Sequence, residues 1–143
     1  MPYAVTIETA SARSAGTDSA VSVNLHGRDG DSTCVALDKH NAVVTPNQSK
    51  DRAGHALRLF DRGAVDTFCV SARRALGTLT AITLSLEGSE GDCTWLPRHA
   101  TVTHKASGEV TQIPCDAWLD ARGLQGGVSC KFSVVPEGAQ VRS

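Results

Sequence analysis

Aromatic side chains are scarce in this chain: one Tyr, three Phe and two Trp among 143 residues, or 4%. A core built with so few rings must be filled by Val, Leu, Ile and Ala, and the hydrophobic share is 41%. An excess of charge of one sign is missing too, since 14 Lys and Arg face 15 Asp and Glu for a net charge of −1. That balance lacks the basic footprint of a nucleic-acid-binding surface, so no nucleic acid is expected as a partner. No apolar run is long enough to cross a bilayer as a helix, so no transmembrane segment is expected. The opening MPYAVTIETA has neither the basic end nor the long apolar stretch of a secretory signal. The chain therefore reads as cytoplasmic, meeting a membrane only at its periphery. The five cysteines, Cys34, Cys69, Cys93, Cys115 and Cys130, are odd in number and include no C-x-x-C pair. Neither a zinc site nor a disulfide framework is indicated, and buried free thiols packed as small hydrophobes are expected.

Catalytic signatures are also missing. There is no G-x-S-x-G nucleophile elbow, no H-E-x-x-H pair and no phosphate-cradling glycine loop. His26, His40, His55, His99 and His104 are dispersed, and the five-residue spacing of His99 and His104 points them to opposite faces of a strand. No enzyme is expected from these residues.

What the chain does have is period-two alternation. Val5 and Ile7 share one side of Ala4–Ile7, and Val21, Val23 and Leu25 share one side of a second run. Further runs are Cys34–Leu37, Val65–Val70, Leu79–Glu87, Trp95–His104, Glu109–Pro114 and Val128–Val135, with turn residues at Gly63, Gly77, Gly88, Gly91 and Ser107-Gly108. Short strands at such spacing predict an all-β antiparallel sandwich. Two regions break the rhythm. Asp38–Arg58 is polar, contains Pro46 and Gly54, and is long for a connection, with a helical turn or a short strand open for Ala53–Phe60. After Trp118, the run Val128–Val135 is either an edge strand or a lead toward a further domain. The expected division is residues 1–120 as one domain carrying an inserted loop at 38–58, and 121–143 as a C-terminal extension, extra strand or linker.

Five stretches, YAVTIETA, SAGTDSAVSVNLHG, FDRGAVDTFCV with ALGTL, TWLPRHATVTH and QIPCDAWL, follow one another from Tyr3 to Leu119. In that order they resemble the PLAT domain, also called LH2, and most closely the N-terminal domain of animal lipoxygenases. The resemblance implies an eight-stranded antiparallel β-sandwich. Some positions have plain structural tasks: Gly16 and Gly63 permit tight turns or close backbone approach. Asp66 accepts backbone hydrogen bonds at a strand entrance, and Trp95 fills the space between the sheets with its indole N–H bonded at the edge.

The resemblance also implies a function. In this family the loops at one end of the sandwich bind calcium and press apolar side chains into a bilayer. Calcium needs six to eight oxygens. The candidate metal ligands are Gly16, Thr17 and Asp18 in the AGTD loop, Asp61 before RGAVD, and Asp92 before Trp95; the alternative for Asp18 is a turn cap. The candidate membrane or partner contacts are Arg13, Leu59, Phe60 and Trp118, with core packing the alternative for Trp118. Two departures count against the family pattern. Ala12-Arg13-Ser14 stands where the lipoxygenase loop carries bulky aromatics that insert into lipid, and Arg58 stands where oxygen ligands are expected and would repel a cation. Asp29 and Asp31 lack the spacing and Glu of an EF-hand and read as turn residues. The expected function is a non-catalytic lipid- or membrane-binding or targeting domain, with calcium (Ca2+) as its candidate cofactor. The alternatives are a protein-interaction module and the regulatory N-terminal domain of a lipoxygenase-type fatty-acid oxygenase.

Overall fold

The computed structural model describes residues 2–17, 19–43, 59–87, 94–121 and 127–134. Among these the regular elements are all strands: β1 (Pro2–Thr9), β2 (Val21–Gly27), β3 (Gly30–Asp31), β4 (Val35–Leu37), β5 (Val65–Ser71), β6 (Leu79–Leu86), β7 (Thr94–Trp95), β8 (Pro97–His104), β9 (Val110–Pro114), β10 (Leu119–Asp120) and β11 (Val128–Ser133). One sheet runs β5-β1-β8-β9 and the other β11-β6-β2-β3, with β4 also pairing β2. A two-stranded ribbon of β7 and β10 completes the set. Every pairing of these strands is antiparallel.

The alternation drives the sandwich directly. In β1, Tyr3, Val5 and Ile7 are buried, and the register sets Val5 opposite Phe68 on one side and Val102 on the other. In the second sheet Val21, Val23 and Leu25 of β2 meet Leu86, Leu84 and Ile82 of β6. All of these are almost wholly buried, so the two inner faces form one apolar layer. Each such side chain contributes about 1.5–3 kcal/mol of burial, and aliphatics carry most of the interior as the composition requires. A one-residue slip of β2 would move its whole apolar set to the outer face, so this pattern also sets the register.

Two features differ from the sequence expectation, and a third is one of the alternatives it left open. The predicted run Trp95–His104 is broken at Leu96 into β7 and β8, because β1 shifts register between Glu8 and Thr9 and releases the chain there. Val128–Ser133 pairs with β6 along six residues and forms the edge of the second sheet, so strand structure continues beyond residue 120. None of the described cysteines is buried: Cys34 and Cys69 are exposed, and Cys115 and Cys130 are half-buried. The reason is the same alternation. Asp66, Phe68 and Val70 occupy the inner face of β5, which turns Cys69 outward. Burial, with the Asp116 carboxylate beside it, pushes the Cys115 thiol up to about 12 and keeps it protonated. Ala53–Arg58 of the ambiguous segment lies outside the described residues.

Phe68, fully buried and central in β5, tests how far the fold rests on this layer. Phe68→Ala is expected to cost about 3–5 kcal/mol, read as a lowered urea midpoint at unchanged slope.

Candidate functional site

The long connections gather at one end of the sandwich. The segments joining β1 to β2, β4 to β5, β6 to β7 and β9 to β10 all leave from this end, whereas the turns after β2, β5 and β8 lie at the other. Hydrogen bonds tie the loop segments to one another. Gly63 N–H is within bonding reach of both the Thr9 (3.1 Å) and Ala10 (3.0 Å) carbonyls, and Thr9 N–H donates to Ala64 O at 2.9 Å. Ala10 N–H donates to Leu96 O at 3.0 Å, and Leu96 N–H to Ala15 O at 2.9 Å. Thr17 N–H donates to Phe60 O at 3.1 Å, closing the circuit.

Gly16 is required at the centre of that circuit. A Cβ there would stand 2.8 Å from Arg62 N and 2.9 Å from Phe60 O, both backbone atoms of the facing loop. Gly63, at φ 74°, supplies the left-handed residue of the turn that Ala64 N–H closes onto Asp61 O at 2.9 Å. The two glycines singled out in the sequence thus serve one packing contact between adjacent loops.

Phe60 holds the second loop from within. Its backbone is left-handed at φ 60°, an uncommon conformation for a bulky residue. Its N–H donates to Asp66 Oδ2 at 2.9 Å. Its ring stacks on Phe68 at 5.4 Å and meets Trp95 edge-on at 5.2 Å. The Trp95 indole N–H in turn donates to Thr9 Oγ1 at 3.1 Å. Phe60 is 3% exposed, so its expected role as a membrane or partner contact is corrected: the left-handed turn swings the ring inward, onto Phe68 and Trp95. Burial raises the Asp66 carboxyl above its ordinary 3.8, the Phe60 N–H opposes that, and the neighbouring Asp61 carboxylate adds to it.

The other candidate residues divide as follows. Gly16, Thr17 and Asp61 come together, with the Asp61 backbone 3.2 Å from the position of a Cβ on Gly16. Asp18 and Asp92 lie outside the described residues. Arg13 is exposed beside Ser14, whose φ is 63°. Leu59 is half-buried against the core. Trp118 is 51% exposed and precedes Leu119, which pairs with Trp95 at the same end. Val65, 49% exposed, and Arg62, exposed, are further surface residues here that the motif reading passed over. Alternation would have found Val65, because it must face away from Asp66 and Phe68's common side.

Of the candidate calcium ligands, the described residues give Gly16, Thr17 and Asp61. Thr17 Oγ1 is 3.1 Å from Ser19 N–H, and the Ala15, Phe60 and Asp61 carbonyls accept backbone N–H groups. Among the described residues no group of three or more His, Cys, Asp or Glu could hold a metal ion. Among the described residues Asp61 is the single candidate carboxylate, and six to eight oxygens are required.

A family model for the PLAT/LH2 domain matches residues 3–125. The chain belongs to the PLAT/LH2 family. Solved structures with this fold include coral 8R-lipoxygenase, at 19% identity and a TM-score of 0.70, over 94% of this chain and 17% of that one. A calcium-dependent 11R-lipoxygenase matches at 24% identity and a TM-score of 0.63, again over 94% and 17%. The alpha-toxin of Clostridium perfringens matches at 14% identity and a TM-score of 0.60, over 93% of this chain and 30% of the toxin. The chain therefore spans about one-sixth of the lipoxygenases it matches. The PLAT domain is a non-catalytic unit, and the lipoxygenase catalytic domain is not contained in this stretch. Among the described residues no helix is long and apolar enough to cross a membrane.

The Asp66 contact gives a two-sided prediction. Asp66→Ala leaves the buried Phe60 N–H without its acceptor and is expected to cost about 1–3 kcal/mol. Asp66→Asn keeps an acceptor and removes the desolvated charge. The folded carboxyl titrates above 3.8, so the native chain loses stability as pH rises from 3.8 through that raised value. The Asn variant should match the native chain in acid and equal or exceed it at neutral pH, as thermal melts across pH will show.

Proposed function

We propose that this PLAT domain docks on a membrane lipid surface through its loop end, as a peripheral targeting module. The observation that carries the proposal is Trp118, 51% exposed beside the buried Leu119. An indole combines an apolar body with a polar N–H and favours the boundary between water and acyl chain. Arg13, exposed on the neighbouring loop, adds a cation for an anionic headgroup. The aromatic insertion residues of the lipoxygenase loop are replaced here by Ala12-Arg13-Ser14, which favours shallow, interfacial contact over deep burial. The exposed Val65 and the half-buried Leu59 broaden the apolar part of this surface.

Calcium assistance is the finer form of the same reading. Its carboxylates would be Asp18, Asp61 and Asp92, with oxygens from Gly16 and Thr17. Its support is the likeness to a calcium-dependent 11R-lipoxygenase and to coral 8R-lipoxygenase, for which calcium activation through a C2-like domain is described. A second reading, the regulatory N-terminal domain of a lipoxygenase-type oxygenase, rests on the same two likenesses.

Co-sedimentation with phosphatidylcholine–phosphatidylserine vesicles, with and without calcium, separates these forms. Trp118→Ala is expected to lower vesicle binding by about tenfold, the loss of roughly 1.5 kcal/mol of interfacial contact, at unchanged melting temperature. Absence of vesicle binding in both conditions would overturn the proposal. For calcium, the expected result is a melting temperature that rises with added ion and loses that response in Asp61→Asn; a flat titration of the native chain removes calcium and leaves lipid docking standing.

A further inference from the structure

The end of the sandwich remote from these loops carries a cleft of ≈ 320 Å³, lined by Gly30, Asp31, Ser32, Thr33, Arg73, Arg74 and Leu76. One wall is β3 and the residues after it. Ser32 is fixed there: its N–H donates to Leu25 O at 2.8 Å, its Oγ accepts from Leu25 N–H at 2.8 Å and donates to Thr33 O at 2.9 Å. The other wall is the connection between β5 and β6. It is anchored at both ends, by Ala72 (5% exposed) and Leu76 (0%), and Asp29 N–H donates to Leu76 O at 2.9 Å. Arg73 and Arg74 therefore project from a pinned bend. Gly30 leaves room for the Arg74 stem, whose Cδ lies 3.9 Å from the position of a Cβ on Gly30.

Arg73 and Arg74 put two positive charges on one wall of the cleft. Two carboxylates of this end, Asp31 on the cleft wall and Asp29 before it, have contacts of their own. Asp31 Oδ1 lies 3.0 Å from His26 Nδ1, and His26 Nε2 lies 2.7 Å from Thr83 Oγ1, so Asp31 ends a polar chain on the outer face of the second sheet. The Asp29 carboxylate fills the space beside Gly77, 2.5 Å from the position of a Cβ there. Among the described residues neither Arg73 nor Arg74 forms an ion pair. The exposed Thr33 hydroxyl adds a neutral donor on the opposite wall.

We propose that this cleft is an anion site for a phosphomonoester group, on a small soluble molecule or on a lipid headgroup. A phosphomonoester carries up to two negative charges and three terminal oxygens, matching two forked guanidiniums and a hydroxyl. The volume, at the lower end of the range for small-molecule sites, suits a ligand of sugar-phosphate size. The site is separate from the loop end and does not rest on lipid docking there.

The test is calorimetric titration of the whole chain with glycerol phosphate, beside co-sedimentation with phosphatidylcholine vesicles with and without phosphatidic acid. Saturable binding of glycerol phosphate identifies the soluble source; binding only to phosphatidic acid vesicles identifies the lipid source. In either case the double variant Arg73→Ala/Arg74→Ala should weaken binding at least about tenfold, with an unchanged melting temperature because both side chains are exposed. Arg73→Lys/Arg74→Lys, which keeps charge and loses the fork, should fall between the two. No saturable binding of either probe overturns the proposal, as does binding that the alanine pair leaves intact.

Discussion

One buried hydrogen bond organises the loop end: the Phe60 N–H donating to the Asp66 carboxylate. Without it, a bulky residue with left-handed backbone would have little reason to stay in that conformation. With it, the Phe60 ring reaches Phe68 and Trp95, its carbonyl receives Thr17 N–H, and the facing loop must present Gly16. The acid is desolvated and disfavours its own charge, so the contact places local geometry ahead of local stability, a common pattern where loops are positioned for use.

The two sheets supply the rigidity against which this clasp works. Their inner faces interlock through Val, Leu and Ile, so both ends of the sandwich are fixed relative to each other. The ends then diverge in chemistry. One presents a half-exposed Trp and a Val over tied loops; the other presents arginines across a cleft from a hydroxyl-bearing wall. Membership of the PLAT/LH2 family accounts for the frame, while solved relatives near or below one-quarter identity speak for the fold alone.

Period-two alternation made most of the frame legible from the residues: the inner faces of β1, β2, β5 and β6 fall where the pattern places them. It also held the answer for Cys69, which had to face outward once Phe68 and Val70 faced in; cysteine's general preference for burial obscured that. Phe60 was not legible, because alternation gives no side-chain direction where the chain turns through a positive φ. The arginine cleft was similarly hidden. Arg73-Arg74 reads as an ordinary polar bend until the structure shows Asp31 paired with His26 and Asp29 seated beside Gly77. Of the metal set, Gly16, Thr17 and Asp61 come together through a close backbone approach that motif order does not reveal.

The first and last described strands share a direction of exit. Pro2 O accepts from Lys105 N–H, and Val134 N–H donates to Thr80 O, both at the end away from the tied loops. A fluorophore, bead or sensor-chip linker attached at the exposed Lys105 of that end would therefore leave Trp118 facing free solution. Immobilised in that way, the molecules would stand with one common orientation, their indoles on the distal side.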